Sequence, residues 1–486
     1  IGYPQQSKKT LTTSRINLRN KAERLYDSEL PQVGFIGAGN YASRTLIPLF
    51  KKEGVILDTL VTSGGISGVH HGNKNEFLTA STEVDDLWSN NDINTIAIVT
   101  RHHLHATQVT DALNNGKHVF VEKPLALNID ELKLIDKAYQ KAIYDQKNGY
   151  SPAYGIEELR VAIAENEHNK SNGGWNCEPN DVYICHGVTE ALQIIFASYL
   201  DKGDEVLSPG PHYPPYMAYP QVFGGKTIEY KLDSENGWAI DIDDLRSKMN
   251  DRVKLLVLIN PNNPTGNVIT KTELDQIIDL VSQYENCTII SDEIYDRLNF
   301  NENHISTASR SKKTPIITLN GVSKVYYAPG WRIGYMAFHD PTHNSKEVRD
   351  GIERMLRSRI SASTPAQYGY LAGLNGNDDW MSGYLEMIKE RNEFCVKRIN
   401  NIEGLSVERP QGAFYMFIKL ADPYWNANDK EFVLKLLNQK YVLAVHGSGF
   451  SKNYGKGHFR IVFLPKKEIL NEAMNRIEEL LIESRH

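Results

Sequence analysis

Two residues, Lys324 and Asp292, stand in surroundings that point to chemistry. Lys324 closes the segment Asn320-Gly321-Val322-Ser323-Lys324, which follows an apolar run, and Arg332 comes eight residues later in Gly330-Trp331-Arg332-Ile333-Gly334. Asp292 follows the apolar run Thr288–Ile290 and precedes Tyr295 by three positions. An aspartate at the C-terminal end of a strand lies where α/β sheets bind ligands. Buried against a ring nitrogen, its charge would hold the ring proton in place. Asn263, in the Pro/Gly turn Asn260–Gly266, can donate to a ring oxygen. His186-Gly187-Val188-Thr189 joins a strand to a helix start, whose free N–H groups and positive dipole end suit a phosphate dianion. Tyr213 offers an aromatic face for stacking. A Schiff-base lysine, an acid for a pyridine nitrogen, phosphate donors and a ring-fixing aromatic are the parts that pyridoxal 5'-phosphate (PLP) chemistry asks of a protein.

Taken singly, each part has a plainer reading. Ser323-Lys324 alone is a surface lysine. Asn260–Gly266 is a turn whatever else it does. Thr189 is a helix cap, Tyr213 a packed aromatic, and Arg460, in Gly457-His458-Phe459-Arg460-Ile461, a strand-end salt-bridge partner. Their order along the chain argues for the common function.

That ordered set resembles the class I/II aminotransferases, PLP enzymes of fold-type I. Tyr150–Gly155 with Leu159-Arg160 is similar to their opening signature, and the likeness runs from about Asn148 to Arg485. The resemblance implies that Lys324 carries the cofactor and then moves the proton. It implies that Asp292 pairs with the ring nitrogen and that Asn263 and Tyr295 bond the ring oxygen. Gly187, Val188, Thr189, Ser323 and Arg332 would hold the phosphate, with Tyr150 reaching it from a partner subunit of a homodimer. Arg460 would clamp the substrate α-carboxylate, beside Asn263. Asn320–Lys324, Trp331–Tyr335, Arg357-Ser358-Arg359 and Ser363–Gln367 look like the alanine (glutamate–pyruvate) aminotransferases. Arg359 stands where related enzymes bind a distal carboxylate. The substrates implied are amino acids and 2-oxo acids, with alanine and 2-oxoglutarate foremost.

A second pattern precedes this one. Val33-Gly34-Phe35-Ile36-Gly37-Ala38-Gly39-Asn40-Tyr41-Ala42 is a strand, a glycine turn and a helix start, with Gly37, Gly39 and Ala42 in dinucleotide-binding spacing. With Thr100–His105 and Val121-Glu122-Lys123-Pro124 it resembles the Rossmann half of the Gfo/Idh/MocA oxidoreductases, over about Gln32–Leu132. The resemblance implies NAD(P), with Lys123 near the nicotinamide. The second strand ends Val61-Thr62-Ser63, with no acid for a ribose hydroxyl, and the aminotransferase pattern follows at once. Residues 133–147 hold no recognisable opening arm of an aminotransferase. Three outcomes are therefore open: an aminotransferase, an oxidoreductase working through the N-terminal segment, and an inactive chimeric remnant.

The elements needed to position these residues are legible as short apolar strands alternating with helical patterns, which implies parallel sheets. The expected fold class is α/β. A Rossmann-like parallel sheet comes first, then a fold-type I PLP-transferase large α/β domain and a smaller α+β C-terminal domain. The expected divisions are a tail over 1–31, the Rossmann-like segment over 32–132, a junction over 133–148, the PLP-binding domain over 149–345, and a helical and α+β region over 346–486. After Pro329 the pattern turns helical. The chain has 486 residues, 41% hydrophobic and 23% charged, with net charge −6, so neither nucleic acid nor an anionic membrane is an expected partner. No apolar run approaches the roughly 20 residues of a membrane span. Four scattered cysteines form no CxxC pair and fit buried thiols in a reducing cytoplasm.

Overall fold

Short strands around glycine turns build the N-terminal part. In the computed structural model, which describes residues 14–19, 31–39, 42–100, 108–109, 111–112, 114–121, 140–300, 304–376 and 378–484, the chain divides into the units Ile1–Asn128 and Ile129–His486. In the first unit β1 (Arg15–Asn17), β2 (Gln32–Ile36), β3 (Ile56–Val61), β4 (Thr79–Ser81), β5 (Thr95–Ile98) and β6 (His118–Val121) form one sheet in the order β1-β4-β3-β2-β5-β6. Strands β2 to β6 are parallel and β1 is antiparallel to β4. The parallel strands therefore run third, second, first, fourth, fifth, the order of a dinucleotide-binding half. Val33 and Phe35 enter one core, with Phe35 edge-on to Phe50 and Phe77, while Ile36 enters the core on the other face.

One expectation is corrected here. Residues 15–17 are not tail but an edge strand, paired through Arg15↔Ser81, Ile16↔Ala80 and Asn17↔Thr79. Its three exposed residues carry no apolar alternation to announce it. A helix, Gly65–Asn75, also stands where no helical pattern was read. Three glycines lower its propensity, yet they allow close packing: a Cβ on Gly72 would lie 2.5 Å from Leu18 Cδ1.

The second unit rests on strands buried on both faces, as a covered parallel sheet requires. Its strands are β7 (Val182–Cys185), β8 (Glu205–Gly210), β9 (Lys226–Asp233), β10 (Ala239–Ile240), β11 (Val253–Ile259), β12 (Thr288–Asp292), β13 (Ile316–Gly321) and β14 (Gly334–His339), in the order β10-β9-β8-β11-β12-β13-β14-β7. Along β11, Leu256 and Leu258 join a core with the helices Glu157–Lys170 and Lys271–Val281. Leu255, Val257 and Ile259 join the opposite core, with the helices Val188–Tyr199 and Lys346–Ser358. This is the alternation of a pleated strand between two helical layers. The helical reading directly after Pro329 is corrected, because Gly334–His339 is a strand, antiparallel to both β13 and β7. As β14 opposes both neighbours, β7 points the same way as β8, β11, β12 and β13.

A smaller sheet of β15 (Leu405–Val407), β16 (Tyr415–Leu420), β17 (Val445–His446) and β18 (His458–Val462), in the order β15-β16-β18-β17, follows. It shares a core with the helices Asp379–Asn400, Asp429–Lys440 and Lys467–Glu483. Residues 140–144, within the expected junction, are helical and belong to this second unit. Among the described residues no helix is long and apolar enough to cross a membrane. The four cysteines are buried and free.

Candidate active site

Five of the residue groups singled out by spacing lie at or just past the carboxyl ends of strands in the eight-stranded sheet. His186 and Gly187 follow β7, Tyr213 follows β8, Asn260–Gly266 follows β11, Asp292 ends β12, and Ser323 and Lys324 follow β13. Because β7, β8, β11, β12 and β13 are parallel, these groups gather at one edge, where such sheets bind ligands. The register fixes them: Asn260 N–H donates to the Asp292 carbonyl (3.0 Å) and Glu293 N–H to the Leu319 carbonyl (2.9 Å).

Asp292 is buried. Tyr216, fully buried, donates its hydroxyl to Asp292 Oδ2 at 2.7 Å, and Ile294 N–H lies 3.3 Å from Oδ1. Burial pushes the Asp292 carboxyl up to about 6, against the pull of Tyr216, the Ile294 N–H and the Lys324 charge. A carboxyl so exposed to desolvation is ready to pair with a cation. Lys324 Nζ stands 5.8 Å from the centre of the Tyr295 ring. The Tyr295 hydroxyl is 2.9 Å from that of Tyr415. Burial, then Tyr415, raises the Tyr295 phenol well above its ordinary value, so it stays a donor.

Arg460 comes from β18 of the small sheet. Its Nη1 donates to Asn263 Oδ1 at 2.7 Å, and its guanidinium lies 4.3 Å from the Tyr415 ring centre and 4.7 Å from that of Phe450. Its buried Nε has no hydrogen-bond partner, and no carboxylate pairs with it, among the described residues. A half-buried guanidinium held by aromatic faces with an N–H to spare suits an incoming carboxylate.

Of the residues expected to hold a phosphate, Gly187 and Arg332 lie together. Gly187 has φ +76°, and a Cβ there would meet Arg332 Nη2 at 2.5 Å. Only glycine gives both that backbone and that approach. Arg332 Nη2 donates to the His186 carbonyl at 3.3 Å and Nη1 to Pro329 O at 2.8 Å. Gly187 leads into the helix Val188–Tyr199, with Thr189 in its first turn. The tight cradle, the helix N-terminus and the buried acid fit a PLP-like group. Tyr213 lies edge-on to Tyr216 with centres 6.4 Å apart.

Two candidates stand apart. Arg359 is not joined to Arg460 or Asn263: its Nε is 3.2 Å from Glu190 Oε2 and its Nη2 donates to the Ile184 carbonyl, so its charge is matched within the fold. Tyr150 is 83% exposed, so its ring is turned largely to the surface. Spacing missed Tyr216, Tyr415 and Phe450. Tyr216 lies three residues past Tyr213. In the first unit Gly37 has φ +103°, and a Cβ there would meet the Val99 carbonyl oxygen at 2.8 Å, while nothing lies within 4 Å of one on Gly39. Ala42 is buried in the turn that follows. Lys123 lies outside the described residues.

Fold and site together define an α/β enzyme with a lysine, a buried acid and a glycine–arginine cradle at one sheet edge. Residues 127–477 match the model of the family described as aminotransferase class I and II, and the chain belongs to that family. The family implies PLP as cofactor. Residues 32–143 match the family described as oxidoreductase family, NAD-binding Rossmann fold. The chain is 36% identical to the glutamate-pyruvate aminotransferase AlaA of Haemophilus influenzae over 345 residues, covering 69% of this chain and 83% of that one. It is 34% identical to an alanine aminotransferase of Mycobacterium tuberculosis over 341 residues, 69% of this chain and 79% of that one. The solved structure of the alanine aminotransferase from Pyrococcus furiosus superposes with a TM-score of 0.71 at 47% identity, covering 74% of this chain and 90% of that one.

Proposed function

We propose that the second unit transfers an amino group between alanine and 2-oxoglutarate, with PLP held on Lys324. The observation that carries the substrate side is Arg460, a guanidinium between Tyr415 and Phe450 with a spare buried N–H. Relatives named for glutamate, pyruvate and alanine support the choice of donor and acceptor. When bound, PLP supplies the electron sink for the bond broken at the substrate Cα. Around it, Asp292 would keep the ring nitrogen protonated, and Tyr295 and Asn263 would bond the ring oxygen. Gly187, Val188, Thr189, Ser323 and Arg332 would hold the phosphate, with Tyr213 against the ring. Arg460 would bind the α-carboxylate and so aim the Cα hydrogen at Lys324 Nζ, which takes and returns the proton. A homodimer in which Tyr150 of one protomer reaches the partner's phosphate fits the exposure of that ring. The buried free thiols suit a reducing cytoplasm. The test is pyruvate formation from alanine with 2-oxoglutarate, compared with aspartate and aromatic donors. Pyruvate absent with alanine while another donor works would overturn the substrate assignment.

A second reading concerns the first unit. Its five parallel strands and the Gly37 turn support a dinucleotide site. Fluorescence titration with NADH and NADPH tests it, and saturable binding by neither ends it.

A further inference from the structure

The stretch Asp292–Asp296 faces two ways. Asp292 and Tyr295 take Tyr216 and Tyr415 as partners. Glu293 and Asp296, between and beside them, take Lys170, the last residue of the helix Glu157–Lys170. The Lys170 side chain is 13% exposed, and its ammonium lies 2.8 Å from Glu167 Oε1, 3.0 Å from Glu293 Oε2 and 3.2 Å from Asp296 Oδ2. Every acid it meets is anchored again. His304 Nε2 is 2.8 Å from Glu293 Oε2, and Thr307 N–H donates to Glu293 Oε1 at 3.1 Å. Tyr335 donates to Glu167 Oε1 at 2.5 Å, and Asn320 Nδ2 to Asp296 Oδ2 at 2.9 Å. Asn320 opens the segment Asn320–Lys324, so one buried cation links the backbone of the ring-nitrogen acid to that of the lysine.

A buried ion cluster is a poor source of stability, since desolvation offsets the attraction and apolar packing would serve as well. What it supplies is direction: Lys170 and the second partners fix Glu167 Oε1, both oxygens of Glu293 and Asp296 Oδ2. Burial raises Glu167 above the usual carboxylate range, while Glu293 stays low despite its burial because Lys170 and His304 face it.

We propose that Lys170 is a positioning residue of the cofactor site, setting Asp292 and Tyr295 through Glu293 and Asp296, and the Lys324 segment through Asp296 and Asn320. The inference rests on the cofactor reading given above. The full-length chain tests it through the dissociation constant for PLP and the pH midpoint of the bound-cofactor absorbance band, neither of which a purely structural loss would move in the folded fraction. Native protein must first show a band that Lys324→Ala loses, and a native protein without it overturns the cofactor reading and this inference together. With the band in hand, folded Lys170→Met is expected to bind PLP on the order of tenfold more weakly, the scale at which residues orienting a ligand act, with a displaced midpoint. Lys170→Arg, which keeps the charge, recovers most of the affinity. Asn320→Ala, which cuts only the tie to the Lys324 segment, falls between. Folded Lys170→Met with native affinity and midpoint overturns the proposal. If Lys170→Met does not fold, native values in Asn320→Ala overturn it instead.

Discussion

At the scale of single residues, Asp292 makes the sharpest statement. Its carboxyl is pushed up to about 6 by burial. Because the folded value is raised, the empty protein favours the protonated acid: the stability it lends is full below the unfolded value and is lost as pH rises through about 6. A cationic ring nitrogen reverses the preference, since it pairs with the ionised form. PLP affinity is therefore expected to fall as pH drops below about 6, approaching about tenfold per unit from this group. Asp292→Asn should bind more weakly and lose that part of the slope, and parallel native and variant curves would refute the pairing. Tyr415→Phe keeps the face beneath Arg460 and removes the hydroxyl 2.9 Å from that of Tyr295. About a fivefold drop in kcat/KM is expected, the worth of one neutral hydrogen bond, with unchanged melting. The two cases also show what was legible. Asp292, Tyr295 and Asn263 directly follow apolar runs, so local spacing exposes them. Tyr415 meets Tyr295 across 120 residues, and an aromatic in a strand carries no mark separating a site residue from a core one.

Elements carry the next constraint. Gly187 joins β7 to the helix Val188–Tyr199 with a positive φ and with Arg332 against its α-carbon. Gly187→Ala should cost about 1–3 kcal/mol of backbone strain and displace the guanidinium. Melting temperature and PLP affinity should both fall, whereas Gly203→Ala, at a turn with open space around it, should leave affinity as it was. Strands buried on both faces, such as Val253–Ile259, read plainly as continuous apolar runs. The strand Gly334–His339 did not, because its identity is set by neighbours: β13 and β7 flank it, and its own sequence opens on glycine after a turn. Helix Gly65–Asn75 escaped for the opposite reason, its glycines being chosen for close packing and against intrinsic helicity.

For the whole molecule, the two family matches overlap over residues 127–143, beside the boundary between the units. Each unit has its own cores, so heating should give two transitions. PLP at a hundred times its dissociation constant should raise only the transition of Ile129–His486, by about 2.7 kcal/mol of linkage, and Lys324→Ala should largely abolish that rise. A single transition that moves as one with PLP would refute independent units. The strand order has a consequence for synthesis. β7 ends at Cys185, yet its only neighbour in the sheet among the described residues, β14, begins at Gly334. At roughly 5–20 residues per second the ribosome needs on the order of ten seconds or more to deliver that neighbour. Until then the Val-Tyr-Ile-Cys strand and the glycine cradle behind it wait with an open edge. The glycine cradle is thus among the first parts of the site to be translated and among the last to be assembled.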